Sequence, residues 1–189
     1  MKKLIYLLAF ALIASTTFVS CDDDDDSSSP FKTVTLGAQS NTDINGFYSI
    51  NQEKTYSLAE AAQNQSTIDL LCFYEKGKND ITLSSPGANI TDIFTGENDP
   101  VNWEVQDTTW FNQIDSTVFT PEAFDALTEN DQIIVNLFDE ANKKRKAKLL
   151  QPGDIYAFQT EDNYNGLFKV VSVTQGATGS VEFTYIIKK

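Results

Sequence analysis

The chain has 189 residues, 41% of them hydrophobic and 22% charged, which suits one folded domain and excludes a wholly disordered polymer. Acids outnumber bases 27 to 14 for a formal charge of -13, which excludes general binding to nucleic acid or to anionic membrane surfaces, because both rest on clustered Lys and Arg. Histidine is absent, so Ser-His-Asp and Cys-His catalysis, His-containing zinc sites and imidazole acid–base chemistry are excluded too.

Lys2 and Lys3 precede an apolar run from Leu4 to Val19 that closes on Ser20-Cys21. Such a run is at or below the roughly 17–25 residues of a permanent bilayer helix, and it reads as a cleaved secretory signal over residues 1–20. Phe18-Val19-Ser20-Cys21 resembles the lipobox of bacterial lipoproteins, with Phe18 where that motif has Leu. The resemblance implies that Cys21 is acylated on sulfur with a palmitate-type chain, becomes the mature N-terminus and anchors the protein in a membrane. Asp22, Asp23, Asp24, Asp25 and Asp26, then Ser27-Ser28-Ser29-Pro30, predict a solvated tether over 21–30, because adjacent carboxylates repel one another and do not pack. Cys followed by an acidic run resembles the surface-export signal of Bacteroidota lipoproteins, which implies an outer-membrane protein facing the cell exterior. Calcium capture by the run is disfavoured, since it lacks a preorganised cage.

Residues 31–189 then form the expected globular domain. Phe31 to Leu36 alternates as a strand, and Asn45-Gly46 is a turn signal leading into Phe47-Tyr48-Ser49-Ile50, so the opening reads as hairpin-like. Ser57-Leu58-Ala59-Glu60 has the form of a capping box for a short helix to about Asn64. Ile68 to Tyr74 is nearly all apolar and predicts a central strand covered on both faces. Within it Cys72 reads as a small buried thiol; with Cys21 lipidated, no intramolecular disulfide is expected. From Lys76 to about Thr117, turns and irregular pieces are expected. Thr120-Pro121-Glu122 starts a helix to Thr128, and Asp131 caps another through Ile133, Ile134, Leu137, Phe138 and Ala141. After the turn at Gln151-Pro152-Gly153-Asp154, strands at Ile155 to Gln159, Leu167 to Val173 and Val181 to Ile187, punctuated by Asn165-Gly166 and Gly176 to Gly179, form an antiparallel meander. The fold class read from this order is α+β: a mostly antiparallel sheet with two or three short helices between N-terminal and C-terminal strands. Asp43 to Ile50 and Asn163 to Val170 echo each other, as turn followed by buried strand does without duplication.

Few residues point to chemistry. Asn41-x-Asp43-x-Asn45-Gly46 overlaps the start of a calcium loop, but the twelfth position is Gln52 and the first is Asn, so a plain turn is favoured and no metal or cofactor is expected. Lys143-Lys144-Arg145-Lys146-Ala147-Lys148 would suit phosphate or an acidic glycan, yet it reads more simply as a solvated helix end. Trp103, Trp110 and Phe111 in the irregular middle, with Phe119 nearby, would suit sugar stacking, with Asn102, Asp107, Asn112 and Gln113 to bond hydroxyls. Carboxylate pairs for hydrolysis are not selected by spacing. Asp107-Thr108-Thr109 and Asp115-Ser116-Thr117 resemble O-glycosylation acceptors of the same phylum.

Ile68 to Tyr74 followed by Ser85-Pro86, and Gly153 to Phe158 followed by Gly166 to Val170, look like small Bacteroidota lipoproteins of unassigned function. Together with the lipobox, they imply a lipid-anchored surface lipoprotein with a non-enzymatic binding or structural role. The alternative is a glycan-binding accessory lipoprotein of a polysaccharide-uptake system. Partners are then the membrane, through the anchor, and a glycan or surface protein, not nucleic acid.

Overall fold

The computed structural model describes residues 29–188. Two five-stranded antiparallel sheets pack face to face. The first contains β1 (Lys32–Gly37), β6 (Trp110–Ile114), β8 (Ile155–Gln159), β9 (Asn165–Thr174) and β10 (Ser180–Lys188), in the order β1-β10-β9-β8-β6. The second contains β2 (Phe47–Ser49), β3 (Lys54–Tyr56), β4 (Leu70–Glu75), β5 (Asp80–Ser84) and β7 (Lys146–Ala147), in the order β3-β2-β4-β5-β7. The α-helices among the described residues are short: α1 (Leu58–Gln63), α2 (Pro121–Asp125) and α3 (Ile133–Asn136). This corrects the α+β expectation to a β-sandwich, in which the helices cover sheet faces rather than form a layer.

Strand alternation builds the core. Val34 and Leu36 of β1, Phe168 and Val170 of β9 and Phe183 and Tyr185 of β10 meet Tyr48, Leu70, Cys72, Ile81 and Leu83 of the other sheet. The neighbours of those residues turn outward into two satellite clusters. On the second sheet Leu71 and Phe73 pack with Phe47, Tyr56 and Trp103; on the first, Ala157, Leu167 and Ile186 lie under Phe124 and Ile134 of α2 and α3. β4 is therefore central and covered on both faces, as its unbroken apolar run requires.

Several local expectations change. β1 and β2 are not a hairpin: they lie in different sheets, and the loop between them crosses the sandwich edge, tied by Gly37 N–H to the Asn45 carbonyl at 3.0 Å. The echoing segments likewise enter different sheets. The Asn165-Gly166 pair does not turn the chain. It lies inside β9, and the turn is at Thr160 to Tyr164, while Gly166 sits where an added Cβ would be 2.3 Å from Phe158 Cζ. The Ser57 capping box forms, but the helix expected from Asp131 is only α3, because the Asn112 side chain bonds the Asp139 backbone in both directions (2.9 and 3.0 Å) and draws the chain off the helical path. The stretch expected to be irregular holds β5 and β6. The C-terminal meander forms with a one-residue bulge at Val171.

Strand register orients the molecule. Phe31, packed on Phe124 at 5.2 Å between ring centroids, leads into β1 at the end of the sandwich that carries the β8–β9 turn. The β4–β5 turn lies at the opposite end, where Ile81 N–H donates to Gln175 Oε1 at 2.9 Å.

Between the sheets the hydroxyls of Tyr48 and Tyr185 bond each other at 2.8 Å in the core. Either single change to Phe strands the remaining hydroxyl and is expected to cost about 1–3 kcal/mol, whereas the double variant is expected to lie within about 1 kcal/mol of wild type. Urea denaturation of the four proteins measures the coupling; additive losses would show that the two hydroxyls do not depend on each other.

Candidate functional site

The three aromatics singled out in the sequence do not share a surface. Trp103 follows a 3-10 turn at Pro100–Asn102, is 5% exposed, and donates its indole N–H to the Asn98 carbonyl at 2.9 Å. Its ring lies 5.7 Å from Phe47 in the outer cluster of the second sheet. Phe111 is 1% exposed in the inter-sheet core, edge-on to Phe168. Trp110 alone of the three keeps partial exposure. Consecutive residues of a strand point to opposite faces, so Trp110 and Phe111 cannot line one platform. Nor is Asn112 free to bond a sugar, since both ends of its amide are held by Asp139.

The basic segment is the larger correction. Lys143 to Lys148 is not a helix end: it is the seam that joins the two sheets. Lys144 exchanges both backbone hydrogen bonds with Phe111 of β6 at 2.8 Å, and two residues later β7 pairs with Leu83 and Ser84 of β5. Ala147 and Leu150 point into the core, and these inward apolar positions among charges were the signal for a strand. Lys143 Nζ and the Arg145 guanidinium lie 4.5 and 5.1 Å from the Trp110 ring centre. Arg145 also donates to the Gly87 carbonyl at 2.9 Å, and Lys146 lies over Phe73 and donates to the Asn89 carbonyl at 3.4 Å. Lys143 pairs with Glu140, and Lys148 with Glu75 at 2.7 Å, a carboxylate that Lys78 also approaches at 3.0 Å. Hydrogen bonds from Lys148 and Lys78 hold the Glu75 carboxyl below its ordinary range. Burial, then the positive charge of Lys148, pushes the Lys146 ammonium below its own.

Two grooves border β6. One of about 550 Å³ is lined by Ile114, Val118, Leu137, Phe138 and Lys144; the other, about 460 Å³, runs along Gln113, Asp115, Phe119 and Asp154. Carboxylates gather elsewhere. Asp69 accepts from the backbone N–H of Ile50 at 2.7 Å and of Asn51, while burial and the charges of Asp162 and Asp107 push its carboxyl up to about 6. Asp107 is raised by burial and by Asp162 and Glu161. Among the described residues no group of three or more His, Cys, Asp or Glu is arranged to hold a metal ion. Asn41, first residue of the partial calcium loop, instead folds a turn, accepting from Asp43 and Ile44 N–H and donating to the Thr178 carbonyl. Cys72 is fully buried, which pushes its thiol well above the ordinary range and leaves no ready thiolate. Of the acceptor positions in the glycosylation-like triplets, Thr108 is half-buried, with its backbone N–H on Glu161, whereas Ser116 is exposed. Cys21 and Asp22 to Asp26 lie outside the described residues. No helix among the described residues is long and apolar enough to cross a membrane.

No protein-family model matches the chain, and no curated protein does. A solved structure of a DUF4466 family protein from Parabacteroides merdae is similar, with TM-score 0.52 and 15% identity over 83% of this chain and 54% of that one. The chain thus spans about half the length of that protein, and the likeness is one of fold. The neighbour comes from the phylum, Bacteroidota, whose lipoproteins the sequence resembles.

Proposed function

We propose that this protein is a lipid-anchored, outward-facing outer-membrane lipoprotein whose β-sandwich has a non-enzymatic binding or structural role. The observation that carries the reading is how soon the rigid body follows the lipobox cysteine. Phe31 is already packed on Phe124, and Cys21 to Pro30 spans at most about 30 Å of contour. The sandwich is therefore held near the lipid surface, attached through the end that carries the β8–β9 turn. Asp69, a titratable group displaced toward neutrality, spends its carboxylate on the backbone of Ile50 and Asn51, which is a structural use. The glycan-binding alternative sited at Trp103, Trp110 and Phe111 loses support from the burial of Trp103 and Phe111.

An alkynyl fatty acid fed to the producing bacterium is expected to label the wild-type protein and not Cys21→Ser. Protease added to intact cells is expected to remove the wild type, and replacing Asp22 to Asp26 by Ser is expected to protect the protein while keeping the label. An unlabelled wild type would end the anchor reading. Full protection of the wild type would end the outward orientation.

A further inference from the structure

The seam holds five of the chain's 14 basic residues in six positions. Acids outnumber bases nearly two to one, so neighbouring carboxylates would be expected to neutralise such a run. They do so only at its ends, where Lys143 meets Glu140 and Lys148 meets Glu75. Between them Lys144, Arg145 and Lys146 form no salt bridge among the described residues; Arg145 and Lys146 donate only to neutral backbone carbonyls, of Gly87 and Asn89. Burial, then Lys148, disfavours the charged form of Lys146; the Glu75 carboxylate opposes this and Lys78 adds to it.

The framework beneath these cations is rigid. Backbone pairing to both sheets fixes Lys144 and Lys146, and the Trp110 ring, flanked by Lys143 and Arg145, restrains two long side chains that would otherwise lose rotamer freedom on meeting a ligand. The helix-dipole explanation for the charges is gone, because the segment is not at a helix end.

We propose that the Lys143–Lys148 seam is a docking surface for a linear anionic polysaccharide, with Lys144, Arg145 and Lys146 meeting its carboxylate or sulfate groups. The stripe is one strand wide and up to about 17 Å long, which matches a single extended chain. A nucleic acid duplex would need a broad basic face, which a protein of charge -13 does not offer. The assignment names a ligand class for the binding role proposed above and rests on it.

The test uses the full chain purified in detergent, with polygalacturonate, heparin, neutral dextran and polyglutamate as probes, at about 0.05 M and about 0.5 M salt. Saturable binding of polygalacturonate or heparin is expected at the lower salt, at least tenfold weaker at the higher. Lys144→Glu/Arg145→Glu is expected to bind at least tenfold more weakly, whereas Lys54→Glu/Lys188→Glu, with the same net charge placed away from the seam, keeps most of the affinity. Should the seam variant melt early, Lys144→Gln/Arg145→Gln replaces it, with a smaller loss in the same direction. Equal binding by seam and control variants, preference for dextran or polyglutamate, or no polysaccharide bound at the lower salt overturns the proposal. Loss of fatty-acid label or of surface exposure would overturn the anchor instead, and leaves this measurement standing.

Discussion

Phe168→Ala is expected to remove about 3–5 kcal/mol of stability. Its ring is fully buried, stacks on Tyr156 at 5.0 Å, lies 5.3 Å from Phe183, and meets Phe111 and Phe158 at 6.3 and 6.2 Å. Truncation leaves a cavity at the middle of the inter-sheet core, where rigid aromatic neighbours cannot collapse to fill it. Domains of this kind have only about 5–15 kcal/mol in total, so the urea midpoint should fall by about 1–3 M. The exposed Val171→Ala serves as control and should change stability by no more than about 0.5 kcal/mol. A loss below about 1 kcal/mol for Phe168→Ala would show that the sheets are held by something other than this aromatic stack.

Asp69 is expected to make stability fall between about pH 4 and about pH 6. Its carboxyl titrates at about 6 in the folded protein against an ordinary 3.8, so the folded state holds the proton more tightly than the unfolded state. Its contribution is fully present below the ordinary value and is lost as pH rises through the folded one. The difference corresponds to at most about 3 kcal/mol. Asp69→Asn cannot ionise and still offers an oxygen to Ile50 N–H, so it should match wild type near pH 4 and exceed it by about 1–3 kcal/mol near pH 7.5. Asp69→Ala removes the acceptor and should be destabilising near pH 4, where the ionic penalty is absent. Urea midpoints at the two pH values decide this. An Asn variant no more stable than wild type near pH 7.5 would show that burial and the charges of Asp162 and Asp107 do not burden the ionised Asp69.

Much of the fold was legible wherever one residue type had one use. β4, β8 and β10 declare themselves by apolar content or alternation, and Ser57 with Glu60 announces α1. β5 was hidden because its polar residues Asp80, Thr82 and Ser84 are buried. They are tolerated there because Asp80 accepts from Leu149 N–H and Thr82, and Ser84 donates to the Arg145 carbonyl. Those partners lie two to 69 residues away, and no local window contains the more distant ones. The apolar spacing after Asp131 was genuine, but α3 stops where Asn112, far away in sequence, captures the Asp139 backbone.

The sequence alone determined the lipobox resemblance, the acid excess, the absence of histidine chemistry and most of the strands, because each is a property of composition or of short-range periodicity. Only the tertiary structure decided that the chain makes two sheets, that Trp103 and Phe111 are core residues, and that the basic run is a seam whose three middle cations form no salt bridge among the described residues. Those outcomes depend on which strand each segment finds and which carboxylates come within reach, and both are set by contacts between residues remote along the chain.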